Sequence, residues 1–501
     1  MSTNNTKQAV WVGIGSLCSF GFTMVSSMIL SRYFDKAEYG TYKQVMYVYH
    51  VLLTIFTLGL PKTFSYFLPR VEPSQAKSLI RKITNLFFLL GGIFSLLLLL
   101  FAPQISHFLK NPELKDALRI FAITPFLLLP TMGLEGILAT YKKTMFLAFY
   151  NVSTNIFKLL CVALPVMIWN LGYKEALVGF VTASFITFLL ALFLKYMPVR
   201  HCGNERVDLS YASIFQFSIP LLTASLWGIV IHSADQFFIS RYFGREVFAD
   251  FSNGSFELPL VGMVTGACAT VLSPVFARLS HQQVDPKKEI YPLWMSVTEK
   301  SAKLIFPLLI YFWVFADYVM TVMYGAKYET SYIFFRYKLI IDFFRIIVFA
   351  PLMINTGKVK EYSRIFLVTA VLVVLLEYVG ICLVNSPYTI SLVSLVCRLG
   401  QIFACFYIVA KYFKVGILRL FPWKTIGRIL LPSIAILWGE HWLFHRLDFA
   451  NSFWVLVLSF ALYAVGFLGI IIVLRLDYLS VITPLVAGKP LFGRLLKRFA
   501  R

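Results

Sequence analysis

Acidic side chains are scarce. The 501 residues carry 24 Asp and Glu against 46 Lys and Arg, a formal net charge of +22. Charged residues of both signs make up 14% of the chain, where a soluble protein holds about a quarter. That deficit excludes a water-soluble globular domain. Long polar connections are also missing. No loop between apolar stretches exceeds roughly 20 residues, which leaves no room for a catalytic domain or an ATPase cassette, and no Walker phosphate loop occurs. The outer loops, where a polyprenyl-using glycosyltransferase or polysaccharide polymerase places its catalytic acids and bases, are short, the first being only Asp35–Glu38. Such an enzyme is disfavoured on that ground, and no catalytic residue is assigned. No long basic soluble segment exists, so nucleic acid is not an expected partner. The seven cysteines form no C-x-x-C pair, and Cys18, Cys161, Cys268, Cys382, Cys397 and Cys405 lie inside apolar runs. They suit packing rather than a disulfide framework or a metal site.

Apolar residues fill the chain instead. They amount to 59%, aromatics alone to 17%, and the mean hydropathy is +0.76. The runs are long and lack the alternation of a β-barrel, so the expected fold is an all-α polytopic membrane protein. Fourteen spans are expected, at 9–31, 41–64, 82–103, 117–138, 148–170, 175–196, 213–241, 247–275, 296–319, 329–353, 363–384, 387–412, 426–445 and 451–474. The first has a single preceding cation, Lys7, and no convincing cleavage site, and is expected to be retained. Cations cluster in alternate loops: Arg70 to Lys82, Lys142-Lys143, Lys195 to Arg206, Arg278 to Lys288, Lys358 to Arg364, Lys411 to Arg428 and the tail after Arg475. These hold roughly 27 Lys and Arg against roughly 9 on the other side, which places both termini in the cytoplasm.

A tetrapeptide occurs twice. Ser31-Arg32-Tyr33-Phe34 and Ser240-Arg241-Tyr242-Phe243 each close an apolar segment, 209 residues apart by their numbering. At that offset Lys36 falls on Arg245, Tyr39 on Phe248 and Tyr42 on Phe251. Six spans separate the copies, so they face the same way, as in a parallel repeat. Expected from this are an N-lobe over 1–196, a cytoplasmic linker over 197–210, a pseudo-symmetric six-helix C-lobe over 211–413, and two further helices with a basic tail over 414–501.

Span eight and its flanks read Ser233-Ala234-Asp235-Gln236-Phe237-Phe238, then Phe256-Glu257-Leu258-Pro259-Leu260, Ala269-Thr270-Val271-Leu272-Ser273-Pro274 and Ala277-Arg278-Leu279-Ser280. With Leu30 to Phe34, Glu38-Tyr39-Gly40, Gly59-Leu60-Pro61 and Leu68-Pro69-Arg70 in the first lobe, this resembles the flippases of the multidrug/oligosaccharidyl-lipid/polysaccharide (MOP) exporter superfamily. Within it the chain looks most like the polysaccharide, O-antigen-type flippases. The resemblance implies transport of a polyprenyl-pyrophosphate-linked oligosaccharide from the cytoplasmic to the periplasmic leaflet of the bacterial inner membrane. It implies no cofactor, coupling to a proton or sodium gradient, and polysaccharide polymerase and glycosyltransferases as partners beside membrane lipids. Lipid II flippases are close relatives, but they usually carry an Arg shortly before the E-x-P-L stretch, where this chain has Gly254. Cation-coupled multidrug exporters are a third alternative. They usually have twelve spans and would favour an acidic cavity over a basic one.

Ionisable residues inside spans are costly and mark cavities or partners. Lys158 in span five and Arg398 in span twelve are the leading candidates for the substrate's phosphates, set against structural pairing with Glu135 or Glu377. Lys303, Lys62 and Arg345 follow. Lys303 could snorkel towards the cytoplasm, Lys62 could anchor at the interface, and an internal pair with Asp342 could account for Arg345. Asp235 and Glu377 stand six and seven residues before the outer ends of their spans, both ~10 Å deep, and are candidates for ion coupling with Glu257. Span one carries Ser26 where span seven has Asp235. Arg32 and Arg241 suit interfacial anchoring or capping of a helix end.

Overall fold

A computed structural model describes residues 2–347, 349–447 and 451–478. The basic tail expected after Arg475 lies, from 479 onward, outside the described residues. The chain divides into two compact units: residues 1–253 with 366–394, and residues 254–365 with 395–501.

In chain order the helices are α1 (Ser2–Tyr33), α2 (Lys36–Phe56), α3 (Pro61–Phe67), α4 (Ala76–Phe108), α5 (Leu114–Phe121), α6 (Thr124–Leu128), α7 (Leu134–Thr140), α8 (Thr144–Lys158), α9 (Leu164–Trp169), α10 (Tyr173–Tyr196), α11 (Tyr211–Tyr242) and α12 (Gly244–Gly254). There follow α13 (Pro259–His281), α14 (Tyr291–Val314), α15 (Ala316–Tyr324), α16 (Tyr332–Arg345), α17 (Phe349–Asn355), α18 (Val359–Val384), α19 (Pro387–Phe413), α20 (Trp423–Arg446) and α21 (Ser452–Val473). The described residues contain no strand. Large apolar side chains stand exposed along the long helices, among them Leu89 and Leu100 in α4 and Leu383 in α18. Water would not tolerate such a surface and lipid requires it. The protein is a multi-pass membrane protein. Among the described residues nine helical segments are long and apolar enough to cross a bilayer, and up to eleven if two bent pairs each count as one span. The sequence expectation was fourteen. One difference is α16, which carries Arg336, Lys338, Asp342 and Arg345 within a single helix.

Local sequence explains where the helices start and break. Asp35 caps α2, accepting from the backbone N–H of Glu38 at 2.6 Å, so the short outer loop is a capping turn. The second expected span is broken after Phe56, where Leu58 and Gly59 take positive φ, and helix resumes at Pro61. The fifth contains a π-turn over Leu159–Ala163, immediately after Lys158. Pro165, in the first turn of α9, lacks an N–H and its ring crowds the Cys161 carbonyl four residues back, which widens the helix there. The eighth is interrupted at 255–258 ahead of Pro259, so Glu257 lies in a non-helical break rather than in a continuous span.

Within the first unit both copies of the tetrapeptide sit at helix ends, α1 and α11, with Ser31 and Ser240 wholly buried. The equivalent pairs Tyr39 and Phe248, and Tyr42 and Phe251, are also buried. The segments that follow the two copies meet. Lys36 pairs with Asp250 at 3.0 Å, Tyr39 donates to Asn253 at 2.9 Å and Gln44 donates to Ser240 at 2.8 Å. Arg245, the counterpart of Lys36, pairs with Glu113 at 2.6 Å. Arg241 donates to the carbonyl of Phe108, the last residue of α4, and so caps that helix. Lys195, which the loop pattern assigned to a cytoplasmic connection, is fully buried at the end of α10. It donates to Pro130 O at 2.6 Å and lies 5.0 Å from the Phe64 ring centroid, because the chain turns back only after it.

In the second unit, Ile310, Tyr311, Val314 and Phe315 form a core with Leu437, Phe444, Val455 and Tyr463 of α20 and α21. The Tyr311 hydroxyl lies 2.8 Å from Leu456 O, and Tyr463 donates to Ser433 at 3.0 Å. The last two helices are thus packed onto α14 by paired polar groups as well as apolar contact.

Candidate functional site

A cavity of about 810 Å³ opens within the first unit, among α1, α2, α3, α7 and α8. Lys158 and Lys62, both expected from the sequence, line it. So do Lys43 and His50 of α2, which the sequence reading passed over. The signal was there: positions 43, 46 and 50 recur at helical spacing and share one face. Lys43 donates to Ser27 at 3.1 Å and stands 5.1 Å from the Tyr39 ring centroid. Lys158 faces the Phe180 ring at 4.9 Å and has no carboxylate within ion-pair distance among the described residues. The Nδ1 of His50 is bonded to Met46 O at 2.7 Å, which turns its other ring nitrogen away from that carbonyl, and the ring lies within electrostatic reach of Lys43 and Lys158. The rest of the polar lining is neutral, including Ser26, Tyr42, Asn151, Thr154 and Asn155, with Glu135 as the acidic member. Three lysines and a histidine against one glutamate make a cationic interior rich in uncharged hydrogen-bonding groups.

Asp235 and Glu377 also fall in the first unit, almost wholly buried. Both lie within electrostatic reach of the Tyr47 hydroxyl, and Ser394 donates to Asp235 at 3.4 Å. Ser26, the counterpart of Asp235 in the repeat, lines the basic cavity.

The remaining candidates belong to the second unit. Glu257 accepts from Lys338 at 2.7 Å and from Arg345 at 3.0 Å, and Arg345 also bonds Asp342 at 3.2 Å. The expected internal pair of Arg345 is therefore present, but it is shared with Glu257. Arg398 is buried and lies electrostatically close to Lys338. Three cations gather here around two acids. Lys338 escaped the sequence reading although 338, 342 and 345 share a helical face. Lys303 stands apart, donating to Asp477 O at 2.9 Å beyond α21.

Bundled helices with breaks beside charged residues, together with a polar cavity inside an apolar exterior, describe a membrane protein with a hydrated, cationic interior. Residues 29–333 match the family of polysaccharide biosynthesis proteins, and the chain belongs to that family. It is 21% identical over 330 residues to the succinoglycan biosynthesis transport protein ExoT of Rhizobium meliloti, covering 65% of this chain. The alignment spans 64% of that relative's length. Among solved structures it is similar to the lipid II flippase MurJ in an inward closed conformation, with a TM-score of 0.70 at 14% identity over 94% of this chain and 99% of that one. An inward-facing multidrug resistance MATE family transporter of the MOP superfamily superposes with a TM-score of 0.62 at 12% identity, over 78% and 95% of the two chains. The fold is that of the MOP-superfamily transporters.

Proposed function

We propose that the protein is a flippase that carries a polyprenyl-pyrophosphate-linked oligosaccharide, the repeat unit of a surface polysaccharide, from the cytoplasmic to the periplasmic leaflet of the bacterial inner membrane. The observation that carries this is the basic cavity of the first unit. Its lysines suit a pyrophosphate, its amides and hydroxyls suit a hydrated glycan, and the polyprenyl chain can remain in lipid. Lys43, Lys62 and Lys158 serve as point charges that follow a moving anion without fixing its orientation. A charge buried without a partner at this depth is expensive, so Lys158 rests with water or counter-ions until the substrate arrives. Access alternates between the two faces, and Asp235 and Glu377 couple it to a proton or sodium gradient. Arg398, Arg345 and Lys303 are assigned secondary substrate contacts from the second unit, and Glu257 balances its cations. Polysaccharide polymerase and the glycosyltransferases that build the repeat unit act before and after transport.

The lipid II alternative is weakened at one position. A Cβ on Gly254 would lie 2.4 Å from Ser331 O and 2.5 Å from the Phe334 Cβ, so the Arg usual there in lipid II flippases has no room. The test is complementation of a strain lacking its own flippase, with membrane protein level measured in parallel. Lys43→Ala and Lys158→Ala are each expected to lower delivery of the glycan by about tenfold or more at normal protein level. Full delivery by both would remove the basic cavity from the mechanism.

A further inference from the structure

A second cavity, of about 450 Å³, lies in the second unit where the end of α14 meets α16 and the last turns of α20. Trp438, Trp442 and Arg446 recur at i, i+4 and i+8 on α20 and share one face, with His441 and His445 between them. Trp313 and Arg336 supply the opposite wall. Arg336 is held in place: its Nε donates to Trp313 O at 3.0 Å and one terminal nitrogen to Val314 O at 3.1 Å, leaving the other terminal nitrogen out of those bonds. Arg446 stands 5.3 Å from the Trp442 ring centroid. His441 is bound to Asp317 at 3.2 Å. The buried indole N–H of Trp313 has no acceptor among the described residues.

The side-chain chemistry of this pocket is one-sided. Tryptophan and arginine only donate hydrogen bonds, histidine donates from at least one nitrogen, and among the described residues no carboxylate, amide or hydroxyl lines the wall. A neutral sugar, whose hydroxyls both donate and accept, would find only the histidine nitrogens as side-chain acceptors here and would leave most of its own donors unmet. An anionic group rich in acceptors and poor in donors would satisfy the wall. The guanidinium forks suit tetrahedral oxyanions, and exposed indoles are at home at the membrane interface. We propose that this pocket binds a phosphoryl group, carried either by a phospholipid headgroup or by a free phosphate ion. It is independent of the flippase assignment and of the first cavity.

Native mass spectrometry of the full chain in detergent tests the site with three probes: phosphatidylglycerol, diacylglycerol of the same acyl chains, and inorganic phosphate. Phosphatidylglycerol is expected to be retained about tenfold better than diacylglycerol, and the Arg446→Gln, His445→Gln double variant to lose at least about fivefold of that retention. Arg446→Lys, which keeps the charge but not the fork, should keep only part of it, and Trp442→Phe, which retains the ring but not the N–H, should lose part. Displacement of the lipid by millimolar inorganic phosphate, with phosphate adducts of its own, identifies the free ion as a ligand of the same site. Displacement by lipid alone identifies the headgroup. Equal retention of phosphatidylglycerol and diacylglycerol, or full retention by the double variant eluting as a monodisperse protein, would overturn the proposal.

Discussion

Lys195 illustrates how a single buried cation is accommodated in this chain. One carbonyl and two aromatic rings, Phe64 and Phe87, surround it. Lys195→Ala leaves Pro130 O without its donor and opens a void, at an expected cost of about 2–3 kcal/mol. Lys195→Met keeps the volume and should cost less, and thermal unfolding in detergent would rank the two. If the methionine variant proved the less stable, the carbonyl bond would matter more than packing. Lys158 and Arg398 were legible in the sequence because a lone cation in an apolar run is conspicuous. Lys43 and His50 were not, because they sit near a span's polar outer half and only helical spacing reveals their common face.

At the level of elements, α2 and α12 approach as closely as two backbones can. A Cβ on Gly40 would stand 1.9 Å from the Arg245 carbonyl oxygen, so no side chain fits between them. The ion pairs Lys36–Asp250 and Arg245–Glu113 flank this contact. Gly40→Val is expected to force the two helices apart. In a cysteine-free background carrying Thr41→Cys on α2 and Arg245→Cys on α12, it should lower oxidative cross-linking of the two positions by about tenfold, since a disulfide needs Cα atoms within about 7 Å. Undiminished cross-linking would show that the contact is loose. The repeat of the SRYF tetrapeptide announced that these helix starts are equivalent, and the capping of α2 by Asp35 was readable in Asp35-x-x-Glu38. The breaks at 57–60 and 255–258 were hidden inside continuous apolar runs. Hydropathy does not register a positive φ, and Gly59, Pro61 and Pro259 were the marks the sequence carried.

For the molecule as a whole, apolar length and loop charge were enough to read an all-α membrane protein, and short motifs in span eight were enough to point to the fold it shares with MOP-superfamily transporters. The division into compact units was not readable, because α11 and α12 contact the first helices through side chains distant in sequence. The proposed coupling belongs to the scale of the whole molecule. Asp235→Asn and Glu377→Gln are each expected to reduce gradient-driven transport about tenfold or more while substrate binding changes little, since neutral isosteres keep the shape and lose the ion site. Normal transport across a range of pH and sodium would make both acids structural. The central claim is that a basic cavity carries an anionic, lipid-linked glycan across the bilayer, and the sidedness of that lipid tests it most directly. In cells depleted of the protein, lipid-linked oligosaccharide should accumulate on the cytoplasmic leaflet, inaccessible to a periplasmic glycan-modifying probe. The wild-type gene should restore access, and the Lys43→Ala, Lys158→Ala double variant at equal membrane level should not. Normal periplasmic access in the depleted cells, or in cells with the double variant alone, would contradict it.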